Sequence, residues 1–183
     1  MGSTGNDQIG GVAMSASFTL TYAPDALEIR DEVKGTDLRV EKRGASEALG
    51  QLFSRRFVVH GEDGERLFQV IDGNSGTLPR ASLKFDRSEA LVLTAGGGHF
   101  SVNCLIDEGR FTFGGDPFST SFSVVIDSKT TAEVSARRGG GRTVYRFDVL
   151  DDSRVAQTLA IVTTLAVFRG RIIPSIEPDP EQS

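Results

Sequence analysis

Cysteine is almost missing from this chain: Cys104 is alone among 183 residues. A single thiol excludes an internal disulfide framework and fits a reducing compartment or an indifferent one. Histidine is nearly as scarce. His60 and His99 are the two present, and no Cys/His spacing matches a zinc site. No Gly-x-Ser-x-Gly nucleophile elbow occurs. The first residues hold no apolar run of the secretory type. The start MGSTGN has Gly2 but places Asn6 where a myristoylation signal wants Ser or Thr. Charge of one sign does not dominate either. Twenty Lys and Arg face 25 Asp and Glu, for a net −5, so a nucleic-acid reading would need a local basic stripe, and no nucleic-acid partner is expected.

Glycine is plentiful, at 21 against six Pro. Between the glycines run short segments that alternate apolar and polar residues, such as Ser17–Tyr22, Leu27–Arg30 and Asp37–Glu41. That period of two describes half-buried strands with one wet face. Further runs follow over 55–60, 65–72, 81–85, 90–94, 99–106, 110–113, 119–126, 131–137 and 142–149. Ala45–Leu52 is left open between a helical turn and a loop. Roughly ten to twelve strands at regular spacing predict a sandwich or a barrel. The segments are too dissimilar for a fixed-period repeat architecture. Residues 1–16 and the acidic end 175–183 are expected to be disordered tails around one domain, 17–174.

One segment breaks this pattern. Ser153–Gly170 reads as helix, and Val155–Phe168 carries no charge at all. Asp152 or Ser153 is placed to cap it, Arg169 sits at the negative end of its dipole, and Gly170 suits the residue just past the end. The following Arg171–Pro174 reads as a short edge strand. Leu159, Ile161, Val162, Leu165, Val167 and Phe168 point in several directions, so the helix is apolar all round. Such a helix is buried in a core or spans a membrane. Fourteen uncharged residues bounded by Arg154 and Arg169 fall short of the ~20 a bilayer wants. A buried helix in an otherwise β chain needs a sheet wrapped around it. The expected fold is therefore mainly β: a closed antiparallel barrel of about twelve strands around one central hydrophobic C-terminal helix.

Two stretches carry a resemblance. Phe57–Gly76, FVVHGEDGERLFQVIDGNSG, and Tyr145–Asp152 leading into the apolar helix are similar to the LURP-one-related proteins. Those proteins have the tubby C-terminal-like fold and are kin of the phospholipid scramblases. The likeness covers about residues 18–173. It implies a barrel of about twelve strands around a C-terminal helix, and it raises phosphoinositide binding as a function.

Candidate chemistry is sparse. His99, Cys104 and Asp107 lie close in sequence, but strand positions five apart face opposite ways, and Cys104 reads as a small buried hydrophobe. The glycine clusters at 96–98, 114–115 and 139–141 lie between strands, where a phosphate cradle needs a helix after it. No catalytic or metal-binding residue and no cofactor is assigned, and no enzymatic activity is expected. The basic residues are the remaining candidates. Arg137, Arg138 and Arg142 flank one glycine turn, and Arg55, Arg56 and Lys84, with Arg87, form a second set. A cationic hairpin tip can hold an anionic headgroup. The plainer reading is solubility and protection of strand edges, and the net charge supplies no supporting field.

The resulting expectation is a non-enzymatic binding or scaffold module of the LURP-one-related type. It would work inside the cell, in the cytoplasm, engaging anionic phospholipid or phosphoinositide headgroups at a membrane surface. A scramblase-like lipid-handling protein and a soluble protein–protein interaction domain are the alternatives.

Overall fold

Alternation decides the first strand: Ala16, Phe18, Leu20 and Tyr22 of β1 (Ala16–Ala23) are buried, and the residues between them are half-exposed. In the computed structural model, residues 16–24, 26–44, 54–76, 78–87, 89–95, 100–103 and 110–172 are described. They form thirteen strands and one long helix. The strands are β1, β2 (Ala26–Asp31), β3 (Thr36–Asp37), β4 (Arg39–Gly44), β5 (Arg55–His60), β6 (Arg66–Ser75), β7 (Leu78–Lys84), β8 (Glu89–Ala95), β9 (Phe100–Asn103), β10 (Phe111–Gly114), β11 (Ser121–Ile126), β12 (Lys129–Gly139) and β13 (Arg142–Val149). A 3-10 turn over Asp152–Arg154 leads into α1 (Val155–Ile172).

Among the described residues every strand pairing is antiparallel. They build a seven-stranded sheet in the order β10-β11-β12-β13-β1-β2-β3 and a six-stranded sheet in the order β4-β5-β6-β7-β8-β9. The expectation of a closed barrel is therefore corrected. Neither β3 with β4 nor β9 with β10 is hydrogen-bonded among the described residues. The reason is visible at Leu38. The sequence reads Asp37–Glu41 as one strand, but Asp37 pairs with Arg30 in one sheet and Arg39 pairs with His60 in the other. Leu38 lies between them, its N–H donating to the Ile29 carbonyl at 2.8 Å. The chain thus changes sheets there. The seven-stranded sheet ends on the two-residue β3 and the four-residue β10, and short edges offer little template for further pairing.

The helix lies between the two sheets, against β6, β7 and β8 on one side and β1, β11 and β13 on the other. Thirteen of its 18 residues are buried, as the apolar sequence predicted. At about 1.5 Å per residue it runs roughly 27 Å. Its threonines are satisfied internally. Thr163 and Thr164 donate to the Leu159 and Ala160 carbonyls at 2.7 and 2.8 Å, and Thr158 bonds Thr131 at 3.1 Å. Residues 152–172 are long and apolar enough to cross a membrane by length and composition, yet 72% of that apolar window is buried inside the protein.

Three local expectations change. Asp151 caps the helical entry in place of Asp152 or Ser153, its carboxylate accepting from the Ser153 N–H at 3.0 Å and from the Ser153 hydroxyl at 2.6 Å. Gly170 does not end the helix, which continues through Arg171 to Ile172. Arg171 and Ile172 are therefore helical and not part of an edge strand. Several expectations fall outside the described residues: the tails at 1–15 and 175–183, the segment at 45–52, the glycines at 96–98, and His99, Cys104 and Asp107.

Candidate functional site

Strand parity brings Arg137 of β12 and Arg142 and Arg146 of β13 to one surface, and turns Arg138 to the other face of the ribbon. Tyr145, Phe147 and Val149 of β13 are buried toward the helix, so Arg142, Val144, Arg146 and Asp148 point outward. On β12, past buried Thr131, Ala132, Val134 and Ala136 are buried in alternation, which turns Glu133, Ser135 and Arg137 outward. Arg137 pairs with Val144, and Arg142 and Arg146 flank Val144 on the same face. Diagonal neighbours of this kind lie roughly 7–8 Å apart between Cα atoms. Gly140 and Gly141, at φ 59° and 73°, make the tight turn that closes the ribbon, a conformation glycine adopts without steric cost.

The first predicted set is thus assembled at one hairpin tip. Arg137, Arg138 and Arg142 are all exposed. Arg138 has an interaction of its own. Neither Arg137 nor Arg142 has a hydrogen-bond or ion-pair partner among the described residues. Arg146 belongs to the same face and was missed by sequence reasoning. The available signal was its i+4 spacing from Arg142 in an alternating strand.

The second set is not assembled. Arg55 faces inward and is already engaged. It contacts the Asp72 carboxylate at 3.2 Å and donates to the Pro24 carbonyl. Arg56 is exposed and Lys84 half-buried, with β6 between their strands. Both belong to the six-stranded sheet, apart from the hairpin tip of β12 and β13.

Two groups fix the C-terminal end of the helix beneath this surface. Asp72 is 1% exposed and is held by Arg171 at 2.8 Å as well as by Arg55. Arg171 also donates to Asn74 at 2.8 Å. Burial raises the Asp72 pKa above the ordinary carboxylate value, against the pull of Arg171 and Arg55. Two residues earlier, buried Arg169 donates to the Ser119 carbonyl at 3.0 Å. Burial pushes the Tyr145 phenol up to about 12, with neighbouring Arg169 offsetting part of that. His60 serves the β5–β6 turn, its Nδ1 lying 3.2 Å from the Gly64 carbonyl and its Nε2 3.4 Å from Glu41. Among the described residues, no group of three His, Cys, Asp or Glu side chains is placed to hold a metal ion.

These elements define a mainly β protein: two antiparallel sheets around one buried C-terminal helix, with a cationic turn between β12 and β13 of the larger sheet. No family model and no curated protein matches the chain. Among solved structures it is similar to a protein from Arabidopsis thaliana, AT5G01750, at 14% identity and a TM-score of 0.43, over 80% of this chain and 88% of that one.

Proposed function

We propose that this chain is a non-enzymatic binding module of the LURP-one-related, tubby-like type. It engages anionic phospholipid or phosphoinositide headgroups at the cytoplasmic face of a membrane. The observation that carries the reading is the pair Arg137 and Arg142, exposed on one face of a hairpin with no partner among the described residues. Guanidinium groups match phosphate bidentately, and each basic residue near an anionic membrane contributes about 1 kcal/mol. The sequence resemblance over the 57–76 hairpin and the 145–168 ending supports the same class.

The scramblase-like alternative requires α1 to enter a bilayer. Its length and composition permit that. Its burial between two sheets opposes it, because extraction would strip the core of Leu159, Ile161, Leu165 and Phe168 together, each worth roughly 1.5–3 kcal/mol. Liposome flotation tests the proposal. The protein is expected to float with vesicles containing anionic lipid and to stay behind with neutral ones. Replacing Arg137, Arg138 and Arg142 by Ala is expected to abolish flotation. Absence of flotation with any vesicle would leave the soluble protein-interaction role in its place.

A further inference from the structure

Outward from the core, the seven-stranded sheet carries a depression of about 530 Å³ over β1, β11, β12 and β13. That lies within the roughly 300–1,000 Å³ of small-molecule sites. Two cross-strand rows make its floor. In one, Ser135 pairs with Arg146 and Arg146 with Thr19; in the next, Glu133 pairs with Asp148 and Asp148 with Ser17. All six residues line the depression, and so does Glu32, whose carboxylate is already engaged 3.8 Å from Arg30.

The charges in these rows are unspent. Glu133 and Asp148 face each other directly across the ladder, where like charges destabilise a sheet. Neither carboxylate has a partner among the described residues, and neither has the Arg146 guanidinium one row away. The rows are two residues apart along each strand, roughly 6–7 Å. A cation seated between Glu133 and Asp148 would relieve their repulsion. An anion would be drawn to Arg146 and repelled by the carboxylates. A simple cation leaves Arg146 unanswered, and a simple anion leaves the carboxylates so.

We propose that this depression binds a small zwitterion, with a primary ammonium between Glu133 and Asp148 and a phosphate or carboxylate on Arg146. Ser17, Thr19 and Ser135 supply hydroxyls along its length. The site stands apart from the membrane reading, which uses Arg137 and Arg142 toward the hairpin tip, so either can fail without the other. The same chemistry is offered by free phosphoethanolamine and by a phosphatidylethanolamine headgroup.

Calorimetric titration with O-phosphoethanolamine tests it, with ethanolamine and inorganic phosphate as the matched half-ligands. The zwitterion is expected to bind roughly tenfold or more tighter than either half. Arg146→Gln and Asp148→Asn are each expected to lose roughly tenfold or more, the loss of one charge-assisted contact. Unliganded Asp148→Asn and Glu133→Gln should melt no lower than the wild type, since they remove a repulsion; this separates lost binding from lost folding. Phosphatidylcholine vesicles with and without phosphatidylethanolamine then assign the source. Retention only with the latter indicates a lipid headgroup, and binding of the soluble compound alone indicates a free metabolite. O-Phosphoethanolamine binding no better than phosphate or ethanolamine, or binding unchanged in Arg146→Gln and Asp148→Asn, would overturn the proposal.

Discussion

Gly170 lies directly against the ring of Tyr22: a methyl group on its Cα would sit 1.9 Å from Tyr22 Cε1. Tyr22 ends the buried row of β1, and Gly170 is in the last turn of α1. The contact sets how closely the helix approaches the seven-stranded sheet. Ala is the better helix former by about 1 kcal/mol, so propensity alone predicts that Gly170→Ala stabilises. The clash reverses the sign. Gly170→Ala is expected to lose about 1–3 kcal/mol, the usual cost of overpacking, read as a lower denaturation midpoint at constant slope. Because Tyr22 is the obstacle, Gly170→Ala is expected to cost less in a Tyr22→Ala background.

The middle of the helix is expected to be the largest single source of packing stability. Leu165 is fully buried in the cluster that joins both sheets. Leu165→Ala should cost about 2–5 kcal/mol, through lost transfer energy and the cavity it leaves. Chemical denaturation followed by circular dichroism measures this. A loss near the 0.5 kcal/mol of an ordinary surface substitution would place the helix outside the core.

The Asp72 cluster carries a pH signature. Burial raises its native pKa, with Arg171 and then Arg55 pulling the other way. A carboxyl with a raised native pKa binds its proton more tightly in the folded state, so its contribution to stability falls as pH rises from the unfolded value near 3.8 through the native one. Arg171→Ala removes one of the two offsetting charges and raises that pKa further. Its cost at neutral pH is expected to be about 1–3 kcal/mol, below the ~3–5 of a fully buried pair because Arg171 is partly exposed. The cost should shrink as pH falls toward 3.8 and Asp72 takes up its proton. Unfolding curves of wild type and variant across that range decide the sign. A cost that grows on acidification would contradict it.

Much of the architecture is legible in the sequence, and the exceptions have physical causes. Period-two alternation exposes strands such as β1 and β13, and an apolar stretch with no polar face exposes α1 as buried. Closure of the sheets is not legible, because it depends on Leu38, one residue whose neighbours pair in different sheets. A glycine read as a terminator was at Gly170 a requirement for close approach, and sequence does not distinguish the two uses. At the candidate site, the Arg137–Arg142 turn was readable from its glycines. The engagement of Arg55 was not, since it depends on the register that sets Arg55 opposite Asp72. Arg146 was hidden because a single Arg in an alternating strand looks like ordinary solvent-facing polarity. Its meaning comes from β12 and β1 on either side.

The central claim is that the β12–β13 tip recognises anionic headgroups, and vesicle partitioning tests it most directly. The fraction bound to anionic vesicles is measured for the wild type, for Arg137→Ala with Arg142→Ala, and for Arg56→Ala with Lys84→Ala as a control of equal charge change on the other sheet. The expected result is a loss of about tenfold or more for the hairpin variant, in line with about 1 kcal/mol per basic residue at the surface, and retained binding for the control. Equal partitioning of both variants, or no partitioning of the wild type, would contradict the account.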